Sequence, residues 1–185
     1  MEYFDITDHN GIPTGEIISR SKAHRLGIMH RTAHIWVIRN HENRTEVLLQ
    51  KRSAEKDSFP LCLDTSSAGH IQAGDEPLPS ALRELKEELG IEAEEEDLTF
   101  IGTFHIDYEE VFHDQMFRDH EIAFLYLYEK EVNLKDLKLQ KEEVESAEWM
   151  DLEELEQRIQ TKDPEICCEP DSVRMLREYI GKHRK

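Results

Sequence analysis

Three things are scarce in this chain of 185 residues, and each scarcity excludes a class of protein. Cysteine occurs three times, at Cys62, Cys167 and Cys168. An odd count with two neighbours makes no disulfide framework and fits a reducing cytoplasm. Long apolar runs are missing: no stretch approaches the ~20 apolar residues of a membrane span, so no membrane partner is expected. The start, Met1-Glu2-Tyr3-Phe4-Asp5, is acidic and has no apolar h-region, so no signal peptide is expected. Positive charge is in deficit as well, with 23 Lys and Arg against 41 Asp and Glu and a formal net charge of −18. That balance argues against binding a nucleic-acid polymer through a basic surface. Repeats, low-complexity tracts and linker-like segments are absent too, and the length suits one domain with a real core.

The charge that is present is unevenly placed. Residues 20 to 56 hold nine Lys and Arg against three acids, leaving 14 basic and 38 acidic residues elsewhere. Arg52 and Lys56 close this segment, and both can form charge-assisted hydrogen bonds to phosphate oxygens. A basic stretch of this kind suits a small anionic molecule such as a diphosphate.

Periodicity gives the order of elements. Residues 3 to 18 read as a hairpin around Asp8-His9-Asn10-Gly11. Ser21 is placed to cap a short helix ending at Gly27. Ile35-Trp36-Val37-Ile38 reads as a strand covered on both faces, with Val47-Leu48-Leu49 returning beside it. Further strands are expected at residues 98–104, 122–128 and 144–150, with residues 105–121 as a histidine- and acid-rich connection. A helix begins at Asp151, and a last one occupies 171–183, capped by Asp171 or Ser172. His24, His30 and His34 match no compact metal spacing and read as structural or surface histidines. One domain follows, with a hairpin and lead-in over 1–30, a core over 31–160 and the final helix over 171–183. The class is α/β or α+β.

The most informative stretch is Gly69 to Ile91. A glycine-bearing loop leads to a helix beginning near Pro77, where Glu84, Glu87 and Glu88 fall at i, i+3 and i+4 and share one side. Leu82, Leu85 and Leu89 lie on another face and can be buried. Three clustered carboxylates repel one another, and a hard divalent cation bound through oxygen offsets that repulsion. Arg83 sits one turn before Glu87, where it can hold that carboxylate, and Gly90 ends the helix.

This stretch resembles the Nudix box, G-x5-E-x7-R-E-U-x-E-E-x-G-U with U aliphatic. Gly69 is the first glycine and Arg83 to Ile91 match throughout, while Asp75 replaces the first glutamate. The resemblance implies an α/β/α sandwich with a mixed sheet, and Mg²⁺- or Mn²⁺-dependent cleavage of a small-molecule diphosphate, such as a nucleoside diphosphate derivative. By position it makes Glu87 and Glu88 the main metal ligands, Glu84 a ligand or base, Arg83 their orienting partner, and a carbonyl near Gly69 part of the shell. Glu121 and Glu143 are the candidates for a general base outside the box.

The flanks look like the isopentenyl-diphosphate isomerase branch. His70 falls where that isomerase has a metal ligand, and Asp119 and Glu121 fall at its acidic pair. The isomerase's essential cysteine precedes Gly-His, and here the residue is Ala68, which cannot exchange a proton. Hydrolysis is therefore expected, with isomerisation and a non-catalytic nucleotide-binding Nudix domain as the alternatives. The oligomeric state is open, a homodimer included.

Overall fold

A turn built by Asp8 starts the fold. Its side chain accepts hydrogen bonds from the backbone N–H groups of Asn10 (2.8 Å) and Ile12 (3.0 Å), and Gly11 takes the positive φ of +79° that the reversal requires. The computed structural model describes residues 2–183. The hairpin comprises β1 (Tyr3–Thr7) and β2 (Pro13–Ser19), and α1 (Arg20–Leu26) follows, stopped by Gly27 at φ +64°. Ser21, expected as the cap, lies inside α1. The cap position is Ser19, which makes no side-chain cap bond.

The remaining strands are β3 (His30–His41), β4 (Arg44–Arg52), β5 (Leu63–Asp64), β6 (Ser67–His70), β7 (Leu98–Phe112), β8 (Gln115–Tyr128) and β9 (Val144–Asp151). The helices are α2 (Pro77–Leu89), α3 (Leu152–Gln160) and α4 (Pro170–His183). Two expectations are corrected here. Residues 105–121 form no separate connection but extend β7 and β8 into one long hairpin, turning at His113 and Asp114, both at positive φ. The acids there conceal a period-two pattern: Phe104 and Ile106 are buried while His105, Asp107 and Glu109 are exposed. The glycine-bearing segment around Gly69 is likewise strand, β6, paired antiparallel to the start of β3. The last helix starts at Pro170, one residue before either expected cap, where proline suits a first turn.

The main sheet runs β5-β4-β3-β8-β7, with β6 joined to β3 and β9 to β4. Only the β3–β8 pairing of this sheet is parallel, so the sheet is mixed. Alternation along β3 sends Ala33, Ile35 and Val37 to a core shared with Ala81, Leu85 and Leu89 of α2. Trp36 and Ile38 point the other way, into a core with Leu152 and Leu155 of α3 and Val173 and Leu176 of α4. The sheet is therefore a middle layer between helices, an α/β/α sandwich with an N-terminal hairpin. Among the described residues, no helix is long and apolar enough to cross a membrane.

Candidate active site

The two layers leave a cavity of about 250 Å³ at one end of the sheet, where α2, β6 and the start of β3 meet the β7–β8 hairpin and the lead-in to α4. Glu84, Glu87 and Glu88 reach it because α2 buries Leu85 and Leu89 against the sheet, and that fixes the rotation of the helix. Glu88 is 2% exposed. Its Oε2 accepts from Ser67 Oγ (2.7 Å), the Ala68 backbone N–H (3.1 Å) and Gln50 Nε2 (3.3 Å). Burial pushes its carboxyl up to about 7, with Lys56 and Ser67 opposing. Burial, with Glu88 beside it, pushes Glu84 up to about 7 as well. Arg83 Nη1 lies 2.8 Å from Glu84 Oε1 and 3.4 Å from Glu87 Oε2, and its Nη2 donates to the His70 carbonyl at 3.1 Å. Gly69 is needed here for space: a Cβ on it would overlap the Glu84 carboxylate.

Asp75, the departure from the box pattern, is exposed and does not line the cavity. Its backbone carbonyl accepts from Arg31, which also pairs with Asp5 at 2.9 Å.

A second constellation stands beside the first. His24 from α1, His30 from β3, His70 from β6, and Asp119 and Glu121 from β8 form a buried group, with Phe4 stacked on His30 and His70 at ring distances of 4.8 and 4.5 Å. Possible ligand atoms of His24, His30 and His70 lie within 4.8 Å of one another, as do those of His30, Asp119 and Glu121. Among the described residues, the box glutamates do not converge that closely. His30 Nδ1 is 2.8 Å from the Ile28 carbonyl, so it donates there, which in the neutral ring leaves an Nε2 lone pair facing Glu121 Oε1 at 3.3 Å. His70 Nε2 faces the same oxygen at 3.4 Å, and His24 Nδ1 faces Asp119 Oδ1 at 3.4 Å. A lone pair facing a carboxylate calls for a proton or a cation. Burial pushes Glu121 up, but His30 and His70 outweigh it and hold the group well below its usual range. Burial lowers His70 to about 4 and raises Asp119 to about 6.

The expectations for single residues meet this geometry as follows. Both constellations line the one cavity, but His70 groups with the histidines and not with the α2 glutamates. His24 and His30, read as structural or surface residues from their spacing, are buried in that group, whereas His34 stands apart with its ring edge-on to Phe104. Glu121 accepts from Thr32 Oγ1 at 3.0 Å besides facing both histidines, and Glu143 is ion-paired with Lys56. Arg52 is spent on the protein, bonding Asp64 at 2.9 Å and the Ser58 carbonyl at 3.0 and 3.2 Å.

An α/β/α sandwich with carboxylates and imidazoles gathered at one end of a mixed sheet defines a candidate metal-dependent enzyme. The NUDIX domain family matches residues 29–168, and the chain belongs to that family. It is 39% identical over 165 residues to Nudix hydrolase 3 of Arabidopsis thaliana, covering 88% of this chain but spanning about a fifth (21%) of that protein. It is 35% identical over 161 residues to an uncharacterized Nudix hydrolase of Clostridium acetobutylicum, covering 87% of this chain and 75% of the other. An isopentenyl-diphosphate Delta-isomerase of Dinoroseobacter shibae is 29% identical over 168 residues, covering 90% and 85%. The crystal structure of DR0079 from Deinococcus radiodurans shares the fold, with a TM-score of 0.70, 19% identity and coverage of 96% and 99%.

Proposed function

We propose that this chain is a divalent-cation-dependent pyrophosphohydrolase that cleaves the diphosphate linkage of a small molecule. The observation that carries the reading is the buried pair Glu84 and Glu88. Each is raised to about 7 by burial, and no cation of the protein is committed to Glu88. Two carboxylates kept this way cost the fold several kcal/mol unless a cation or protons offset them. Oxygen-only donors fit Mg²⁺ or Mn²⁺. The Gly69 cradle, which a Cβ would fill, supports that fit. The buried histidine group, with Nε2 of His30 and of His70 lacking hydrogen-bond partners, has the donors for a second, softer cation.

Such a cation supplies Lewis acidity, neutralising phosphate oxygens and making water a stronger acid. The chain's own groups do the rest. Glu88, Glu84 and Glu87 present oxygen donors, with Gly69 supplying a backbone carbonyl beside them. Ser67, Gln50 and the Ala68 N–H fix which oxygen of Glu88 faces the cavity. Arg83 orients Glu84 and Glu87. Glu84, with a proton affinity near neutrality, takes the proton of the attacking water, a role that hydrogen-bonded Glu121 and ion-paired Glu143 are less free to fill. The P–O–P bond breaks, water adds to one phosphorus, and two phosphate-bearing products leave. Arg52 and Lys56 line the cavity as the cations nearest to an entering diphosphate, and a substrate would have to exchange with Asp64 and Glu143 for them. Three free thiols suit a reducing cytoplasm as the place of action.

A second reading, isopentenyl-diphosphate isomerase, is favoured by the gathering of His70 with Asp119 and Glu121. It is opposed by Ala68, a cavity residue with no proton to exchange. Nucleotide sugars, dinucleotides, coenzymes and prenyl diphosphates should be incubated with Mg²⁺ or Mn²⁺ and product phosphates measured. Release from at least one is expected, and release from none overturns the hydrolase. Conversion of isopentenyl to dimethylallyl diphosphate would instead establish the isomerase.

A further inference from the structure

The part of the cavity on the α4 side of the sheet holds polar groups that cleavage at α2 does not use. His34 is 9% exposed, and burial keeps its imidazole neutral. Its only packing partner of note is the edge of Phe104 at 5.5 Å. Among the described residues, no hydrogen bond or ion pair engages its ring nitrogens, yet it lines the cavity. A neutral imidazole therefore presents one free donor and one free acceptor to that space.

Glu169 comes to the same space from the segment entering α4. Its backbone carbonyl is occupied, accepting from the Ser172 N–H (3.0 Å) and Oγ (2.8 Å). Its carboxyl lines the cavity and, among the described residues, bonds no side chain or backbone group. Asp64, Asp119 and Glu121 lie near it on the same face and raise its proton affinity to about 7, after burial itself. Alternation on β3 puts His34 on the face of Trp36 and Ile38, whose core is shared with α4. His34 and Glu169 thus belong to one face of the sheet, opposite the core face of α2.

Polar groups withdrawn from bulk water without partners are costly, and a ligand that supplies their partners recovers the cost. A hydrocarbon cannot do so. A group with neighbouring hydroxyls can, because each hydroxyl both donates and accepts. The size of the cavity suits one small ring more than a dinucleotide.

We propose that His34 and Glu169 form the recognition site for a hydroxyl-bearing, sugar-like half of the diphosphate substrate and select it over a hydrocarbon half. This rests on the hydrolase reading and narrows its substrate class. The test compares ribose 5-diphosphate with dimethylallyl diphosphate, measuring kcat and KM with Mg²⁺ for the wild type, Glu169→Leu, Glu169→Gln and His34→Gln. The wild type is expected to favour the sugar. Glu169→Leu should raise KM for the sugar about tenfold with kcat within about twofold, and should lower KM for the prenyl compound. Glu169→Gln, which keeps a donor and an acceptor, should stay within about threefold of wild type. Equal effects of Glu169→Leu on both compounds, or a wild type that favours the prenyl compound, would overturn the proposal. If neither is cleaved, the hydrolase reading fails separately, and calorimetric binding of ribose 5-diphosphate with Ca²⁺ decides this one. Binding weakened about tenfold by Glu169→Leu supports it, and absent or unaltered binding refutes it. His34→Gln, compared with wild type by circular dichroism before use, should weaken sugar binding in the same direction.

Discussion

The two ends of the cavity solve the problem of buried charge in opposite ways. At the α2 end, like charges are held together by one helix, and the partners of Glu88 are neutral donors from β4 and β6. At the histidine end, opposite or neutral groups from α1, β3, β6 and β8 face one another at 3.3–3.4 Å, and Glu121 is stabilised as an anion there. The first arrangement stores a demand for a cation, as an activated catalytic centre does. The second largely satisfies itself and carries its information in orientation. The difference also sets the metal chemistry: oxygen donors alone at one end, imidazole nitrogens at the other.

Ways to break this comparison follow, from the largest expected effect down. Glu88→Gln and Glu84→Gln should each lower kcat with Mg²⁺ on the order of 10³-fold. Glu88→Gln should also raise the thermal midpoint in metal-free buffer, because it removes a buried charge. A Glu88→Gln protein with wild-type kcat would dissolve the distinction between the ends.

Arg83→Lys keeps the charge but cannot reach Glu84, Glu87 and the His70 carbonyl at once. A loss of about 10- to 100-fold in kcat is expected, with thermal stability little altered, in a paired kinetic and melting measurement. His30→Gln should cost on the order of tenfold in activity with Mg²⁺ and should abolish the visible absorption bands that Co²⁺ acquires from nitrogen ligands. Retention of those bands would move the softer site elsewhere.

The smallest effect concerns Glu169. Its folded-state proton affinity, about 7, exceeds the ordinary 4.5. The folded chain therefore holds a proton that the unfolded chain releases, and stability falls as pH rises from about 4.5 to about 7. Urea unfolding across that range should show a shallower decline for Glu169→Gln than for the wild type.

The same contrast explains what was legible in the sequence. The α2 end is contiguous: Gly69, Arg83, Glu84, Glu87 and Glu88 lie within one strand–loop–helix, so 3.6-residue periodicity and the box resemblance located all of them. The box stretch was read as a loop at Gly69 because glycine there signals a turn, whereas its actual use is to admit Glu84 against a strand. The histidine end is assembled from four elements, and no linear spacing joins His24 to Asp119. His30, Thr32 and His34 do alternate along β3, and Asp119 and Glu121 along β8. Recognising residues 105–121 as strand would have placed the two acids on one inward face. The dense charge of that segment hid its period. His34 and Glu169 had no sequence signal, because their lack of partners is a property of the packed structure.

The most direct test is the Mg²⁺-dependent release of phosphate product from a cleaved diphosphate, measured side by side for wild type, Glu88→Gln and His30→Gln. The account predicts loss on the order of 10³-fold for Glu88→Gln and only about tenfold for His30→Gln. Near-wild-type turnover by Glu88→Gln, with His30→Gln inactive, would place the hydrolytic centre at the histidines and contradict it.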